Sequence, residues 1–153
     1  MSTLEVKAIQ APTGFDLQMP AGHILQTVVG TYSTQLITTS TSLVDLGLSA
    51  SITPSSTNSK ILIMTQSQHE IGNGEGIGVA LFRDSTKIFE TSNYHSYQGQ
   101  ATQINNRTPY LYLDSPSSTS SITYKMQVRV YSGSVIFNDA SNPTTILLQE
   151  VAG

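Results

Sequence analysis

The chain has no cysteine and no tryptophan. Without cysteine there can be no disulfide framework and no thiolate metal site, so stability must come from packing or from oligomerisation. Charge is scarce too. Asp, Glu, Lys and Arg make up 11% of the 153 residues, where roughly 25% is usual for a soluble chain. The net charge is −3, and no run of Lys or Arg occurs. Nucleic-acid binding needs clustered cations against phosphate, so it is not expected. No apolar run approaches the ~20 residues of a membrane helix, which argues against membrane insertion. Met1-Ser2-Thr3-Leu4-Glu5 has no basic region leading into an apolar stretch. The expectation is therefore synthesis in a cytoplasm without signal-directed export.

Hydroxyl residues take the place of charge: 21 Ser and 19 Thr. One phrase of them is written twice. Pro54-Ser55-Ser56-Thr57-Asn58-Ser59 precedes the run Lys60 to Gln68, and Pro116-Ser117-Ser118-Thr119-Ser120-Ser121 precedes Ile122 to Tyr131. Proline fixes φ and lacks an N–H, and Ser, Thr and Asn bond their own backbone, so each phrase is a turn. Each run after it is extended and rich in β-branched residues, which marks a strand. These two strands are expected to form much of the sheet core.

Around them lie further short strand signals: His23–Thr31, Leu43–Leu48, Ser49–Thr53, Gly76–Arg83, Lys87–Glu90, Tyr110–Leu113, Ser134–Phe137 and Thr144–Val151. No segment of helical period with caps occurs. About ten strands with turns between them predict an all-β sandwich or barrel. In the last strand Ile146, Leu147 and Leu148 are apolar in succession. Both faces of that strand should be covered, which places it inside a sheet, as in a jelly roll.

Residues 1–22 form a separate N-terminal arm ahead of a domain spanning 23–153. Leu4, Val6 and Ile9 suit a weak strand, and Phe15, Leu17 and Met19 alternate between two turn signals. So short a segment cannot bury these side chains alone, so they are expected to attach to another surface.

Several stretches together resemble bacteriophage tail-fibre proteins, marine and cyanobacterial ones especially. They are Leu4 to Gln10, Pro20-Ala21-Gly22-His23-Ile24, Ile52 to Thr57, Leu113-Asp114-Ser115-Pro116 and Glu150-Val151-Ala152-Gly153. The likeness runs over nearly the whole chain. It implies an antiparallel jelly-roll sandwich like that of tumour necrosis factor, assembled as a homotrimer on the virion surface, on tail or capsid. The arm would hold other virion proteins, and loops would meet the host. Many such fibres carry a long repetitive shaft. The short arm here suits a compact spike or fibre tip, or a capsid decoration protein.

The longest loop signal runs from Ser92 to Thr108. Tyr94 and Tyr97 flank His95 there, followed by Gln98, Gln100, Gln103, Asn105 and Asn106. Rigid rings beside amides suit adaptable recognition of a host carbohydrate or protein. The same rings would equally serve to cap a sandwich end or touch a neighbouring subunit. For the trimer interface, Thr65 to Gln68 is polar on both faces, which gains little inside a lone core. Gln66 and Gln68 are therefore expected at the symmetry axis, and Arg129 and Glu150 in interchain pairs.

Signals for chemistry are weak. His23, His69 and His95 share no ligand spacing, so no metal and no cofactor is expected. The Gly72, Gly74, Gly76, Gly78 series lacks the lysine and helix of a phosphate loop. No Gly-x-Ser-x-Gly occurs. Glu70, Glu75, Asp84, Glu90 and Asp114 could in principle supply a glycosidase pair, yet no spacing pairs them. A tail-associated glycan hydrolase is thus a minor alternative to a non-enzymatic role.

Overall fold

The strand launched by the first Pro-Ser-Ser-Thr phrase holds one sheet together, and the strand launched by the second holds the other. In the computed structural model, which describes residues 19–100, 102–138 and 142–153, these are β4 (Lys60–Ile71) and β9 (Ile122–Val130). The remaining strands are β1 (Ile24–Tyr32), β2 (Leu36–Thr38), β3 (Val44–Ile52), β5 (Glu75–Arg83), β6 (Thr86–Glu90), β7 (Ser96–Gln98), β8 (Ile104–Asp114), β10 (Val135–Phe137) and β11 (Thr144–Val151). No helix occurs among the described residues.

Both sheets are antiparallel. In the first, β1 pairs β11 and β11 pairs β4, while β8 lines the opposite edge of β4 from Ile61 to Ile71. The short β10 joins β4 at His69 and Glu70, beyond the reach of β11, and carries β2. The second sheet runs β3-β9-β5-β6, with β7 also on β5. The last strand thus lies inside its sheet, as the Ile146-Leu147-Leu148 run predicts. The result is the expected all-β jelly-roll sandwich.

Period-two alternation builds the core. Leu46, Leu48, Ala50 and Ile52 on β3 face inward, with Tyr124, Met126, Val128 and Val130 on β9. Ile61 and Ile63 on β4 and Ile146 and Leu148 on β11 meet them from the other sheet. β3 is one strand where the sequence suggested two. Near the junction of those two, the register is irregular between Asp45 and Ser49. Gly47 sits at φ +86°, and a Cβ there would come within 2.4 Å of the Tyr32 ring. Glycine supplies both the left-handed backbone and the room for that ring.

The two outer faces differ in character. On the β9 sheet the outward side chains of β3 and β9 are polar. Ser51 and Thr123 hydroxyls lie 2.8 Å apart, and Lys125 pairs with Asp45 at 3.7 Å. On the β4 sheet the outward rows are Leu113–Leu62–Gln149–Thr27, Leu111–Met64–Leu147–Val29 and Pro109–Gln66–Thr145–Thr31. These three rows contain no charged residue. Leu111 is 65% exposed, Val29 57% and Leu113 51%. A shallow concavity of about 430 Å³ opens among Met64, Pro109, Leu111 and Leu147.

The two ends of the sandwich also differ. At one end the chain enters and the last strand leaves. Gly22 donates to the Ala152 carbonyl and Ala152 to the His23 carbonyl, both at 2.8 Å. Both Pro-Ser-Ser-Thr turns lie at this end. Glu150, fully buried, accepts from the Ser55 N–H and hydroxyl at 2.7 and 2.6 Å and from Gln26 at 2.6 Å. Burial alone would push the Glu150 carboxyl up, but these hydrogen bonds outweigh it and hold it below the usual range. The far end carries the β4–β5, β6–β7, β9–β10 and β10–β11 connections.

Candidate functional site

The far end gathers the recognition candidates, and β5 explains how. Gly76 pairs with Tyr97 on β7, and its carbonyl accepts the Tyr131 N–H at 2.7 Å. A Cβ at Gly76 would meet the Asn93 carbonyl at 2.9 Å and the Tyr97 ring at 3.1 Å. The missing side chain lets the β6–β7 connection fold down against the strand, anchored by the Thr91 and His95 N–H groups on Val79 and Ile77 carbonyls, each at 2.9 Å.

Three rings then meet in solvent. Tyr94 lies 5.2 Å from Tyr97 and 4.8 Å from Tyr131, and Tyr97 lies 6.3 Å from Tyr131. All three remain exposed: 53%, 47% and 43%. A hydrogen bond with the Tyr131 side chain pushes the Tyr94 hydroxyl up. The cluster offers apolar faces with phenolic edges, a surface suited to hydrogen-bonding, partly apolar partners. Sequence reading found two of the rings. Tyr131 looked like the last residue of a strand, and only the Ile77↔Val130 register puts it beside Gly76.

The other loop candidates lie apart from the rings. His95 turns inward, its ring 5.7 Å from Tyr110, and burial lowers its pKa. Gln98 donates to the Thr102 carbonyl at 3.0 Å and accepts the Gln100 N–H at 3.2 Å, which shapes the turn. Gln103 donates to Glu70. Asn105 and Asn106 are in no loop. β8 begins at Ile104, so they are strand residues opposite Glu70 and His69. Pro109 hid this strand, because proline is excluded from strand interiors. β8 is an edge strand that pairs only with β4 among the described strands, and an edge tolerates it.

The interface candidates need correction. Thr65, Ser67 and His69 do not face a neighbour: they point into the sandwich and are 4%, 0% and 0% exposed. Gln68 is 6% exposed and donates to Asn105 at 3.1 Å. Arg129 pairs within the chain, with Glu90 at 2.8 Å and the Thr91 carbonyl at 3.2 Å. Glu150 is occupied by Ser55 and Gln26. Neither charge is left over for an interchain pair, and the two lie on different sheets. Gln66 sits in the uncharged rows of the outer face. Of the arm residues, Met19 is 43% exposed, while Leu4, Val6, Ile9, Phe15 and Leu17 lie outside the described residues.

The carboxylates named above all have structural partners. Glu75 accepts the Gly72 and Ser134 N–H groups at 2.5 and 3.0 Å. Asp84 accepts the Thr123 N–H at 2.9 Å. Glu90 holds Lys87 and Arg129. Asp114 takes Arg83 through both oxygens, at 3.1 and 3.0 Å, and the Tyr124 hydroxyl at 2.6 Å. Among the described residues no three His, Asp or Glu side chains gather to hold a metal.

Beneath the far end the interior is polar. The hydroxyls of Thr65, Ser67 and Thr108 and both ring nitrogens of His69 have no hydrogen-bond partner among the described residues, and the His69 ring packs 6.1 Å from Phe137. Burial, and then the nearby His95, lower the His69 pKa from 6.5 to about 4. The unfolded chain therefore takes up this proton first. The contribution of this site to stability should be full above pH 6.5, fall as the pH drops towards 4, and level off below. The loss at this site is roughly 3 kcal/mol. Urea titrations across this range should show it, and His69→Phe should remove most of the slope.

No protein-family model and no curated protein matches the chain. Solved structures do. A mutant VP2 protein of infectious bursal disease virus, from derived T=1 particles, superposes with a TM-score of 0.52 at 13% identity, over 96% of this chain and 41% of that one. A structure of the Gt strain of the same virus gives 0.52 at 12% identity, over 97% and 43%. The chain thus spans about two fifths of the length of these viral proteins, and what it shares with them is the β-sandwich fold.

Proposed function

We propose that this chain is a non-enzymatic structural protein of a bacteriophage particle, a homotrimeric spike or fibre tip that presents its far end to the host. One observation carries the reading: the chain enters at one end of the sandwich, and the exposed Tyr94, Tyr97 and Tyr131 cluster occupies the other. Residues 1–22 attach the protein to the virion, and the rings point away from it. The row Leu111–Met64–Leu147–Val29 and the uncharged rows on either side of it, on the outer face of the β4 sheet, serve the contacts between subunits. The sandwich it shares with viral particle proteins supports a virion role. The engagement of the candidate carboxylates in turns and ion pairs speaks against a glycan hydrolase.

Changing Tyr94 and Tyr97 together to Ala should cut adsorption to host cells by about two orders of magnitude, as loss of two aromatic anchors does, while particles assemble normally. Wild-type adsorption by that double mutant would overturn the receptor role.

Capsid decoration is the second reading, favoured by the fold shared with shell-forming VP2. Copy number per particle separates the two: a tail tip is present in a few trimers, a shell decoration at every repeat of the lattice.

A further inference from the structure

Beside the tyrosine end, the outer face of the β4 sheet changes character. Past the row of Pro109 and Gln66 the apolar side chains give way to a concavity of about 360 Å³, lined by Gln68, Asn105, Asn106, Arg107 and Asn142. Its volume falls at the low end of ligand pockets, which run about 300–1,000 Å³. Four of its five side chains are amides, and the fifth is a guanidinium.

Arg107 is unlike the other arginines. Arg83 is held by Asp114 and Arg129 by Glu90. Arg107 has no carboxylate partner among the described residues. Its side chain donates to the Asn142 amide oxygen, and its backbone N–H to the Asn106 amide oxygen at 2.9 Å. The nearest acid along the register, Glu70 opposite Asn105, accepts from Gln103. In a chain of net charge −3, the pocket thus displays an arginine that no acid among the described residues neutralises.

We infer that this pocket binds a carboxylated sugar, the uronic-acid unit of an acidic host-surface polysaccharide. The guanidinium fork matches a carboxylate through two parallel N–H bonds. Amides offer a donor and an acceptor side by side, the pattern that paired ring hydroxyls require. A neutral sugar would use the amides and leave the cation unanswered. The inference rests on the proposed host-facing role of this end and names the ligand class.

The test is titration of the purified, full-length protein with D-glucuronate, D-glucose and acetate, followed by NMR of the side-chain amides. The expected result is a millimolar glucuronate site that shifts Asn105 and Asn142, with glucose weaker by at least about tenfold for want of the charge-assisted pair, and acetate weaker by about as much for want of the ring-hydroxyl contacts. Arg107→Gln should abolish the glucuronate response with the rest of the spectrum unchanged, and Arg107→Lys should restore part of it. Equal binding of glucose, equal binding of acetate, or undiminished glucuronate binding by Arg107→Gln would each overturn the site. The titration needs no virus, so its failure leaves adsorption through Tyr94 and Tyr97 standing, and failure of adsorption leaves the titration standing.

Discussion

Leu111→Asp is expected to turn the proposed trimer into folded single protomers. Leu111 stands 65% exposed at the end of the row Leu111–Met64–Leu147–Val29. If subunits meet on this face, a carboxylate there has to be dried with no cation in its own row or in the rows on either side of it. Central apolar anchors cost about 2–4 kcal/mol each when lost from an interface, and a buried unpaired charge adds to that. A closed trimer repeats the damage at three contacts. Sedimentation equilibrium reads the mass, and an unchanged near-ultraviolet spectrum shows that the protomer is intact. Ser51→Asp, on the polar outer face of the other sheet, is the control and should leave the assembly alone. A trimer surviving Leu111→Asp would remove this face from the interface.

The second large effect is on stability. Asp114, 7% exposed, answers both the Arg83 guanidinium and the Tyr124 hydroxyl. Tyr124 is fully buried, and burial, reinforced by the bond to Asp114, pushes its hydroxyl well above the ordinary value. Asp114→Ala strands a phenol in the core and a guanidinium at its rim. Breaking a buried pair from one side costs about 3–5 kcal/mol. Arg83 keeps some solvent, so about 3 kcal/mol is expected, read as a lower urea midpoint at unchanged slope. Asp114→Asn keeps an acceptor for the phenol and should lose less.

Strand content and fold class were legible because alternation and turn chemistry agree along most of the chain. The repeated Pro-Ser-Ser-Thr phrase marked the two organising strands, and three apolar residues in a row placed the last strand inside its sheet. Tyr94 and Tyr97 were legible as exposed rings between turn residues. What hid the rest was pairing. Tyr131 becomes a neighbour of Tyr94 and Tyr97, and Arg107 of Gln68, only through register, which no local pattern states. Polar β4 residues were expected at a subunit contact because Thr65 to Gln68 is hydrophilic on both faces. The sandwich tolerates Thr65 and Ser67 inside, and the apolar outer rows that better suit a contact were scattered as single leucines over four strands.

Pro109 has one more consequence. A long uncovered strand such as β8 would normally invite another chain to add on edge to edge, and repetition of that step grows fibrils. A residue with no N–H to offer interrupts the ladder midway along the rim. Growth sideways is thus discouraged at the place where the adjoining surface is most adhesive, which favours a closed, countable assembly over an open-ended one.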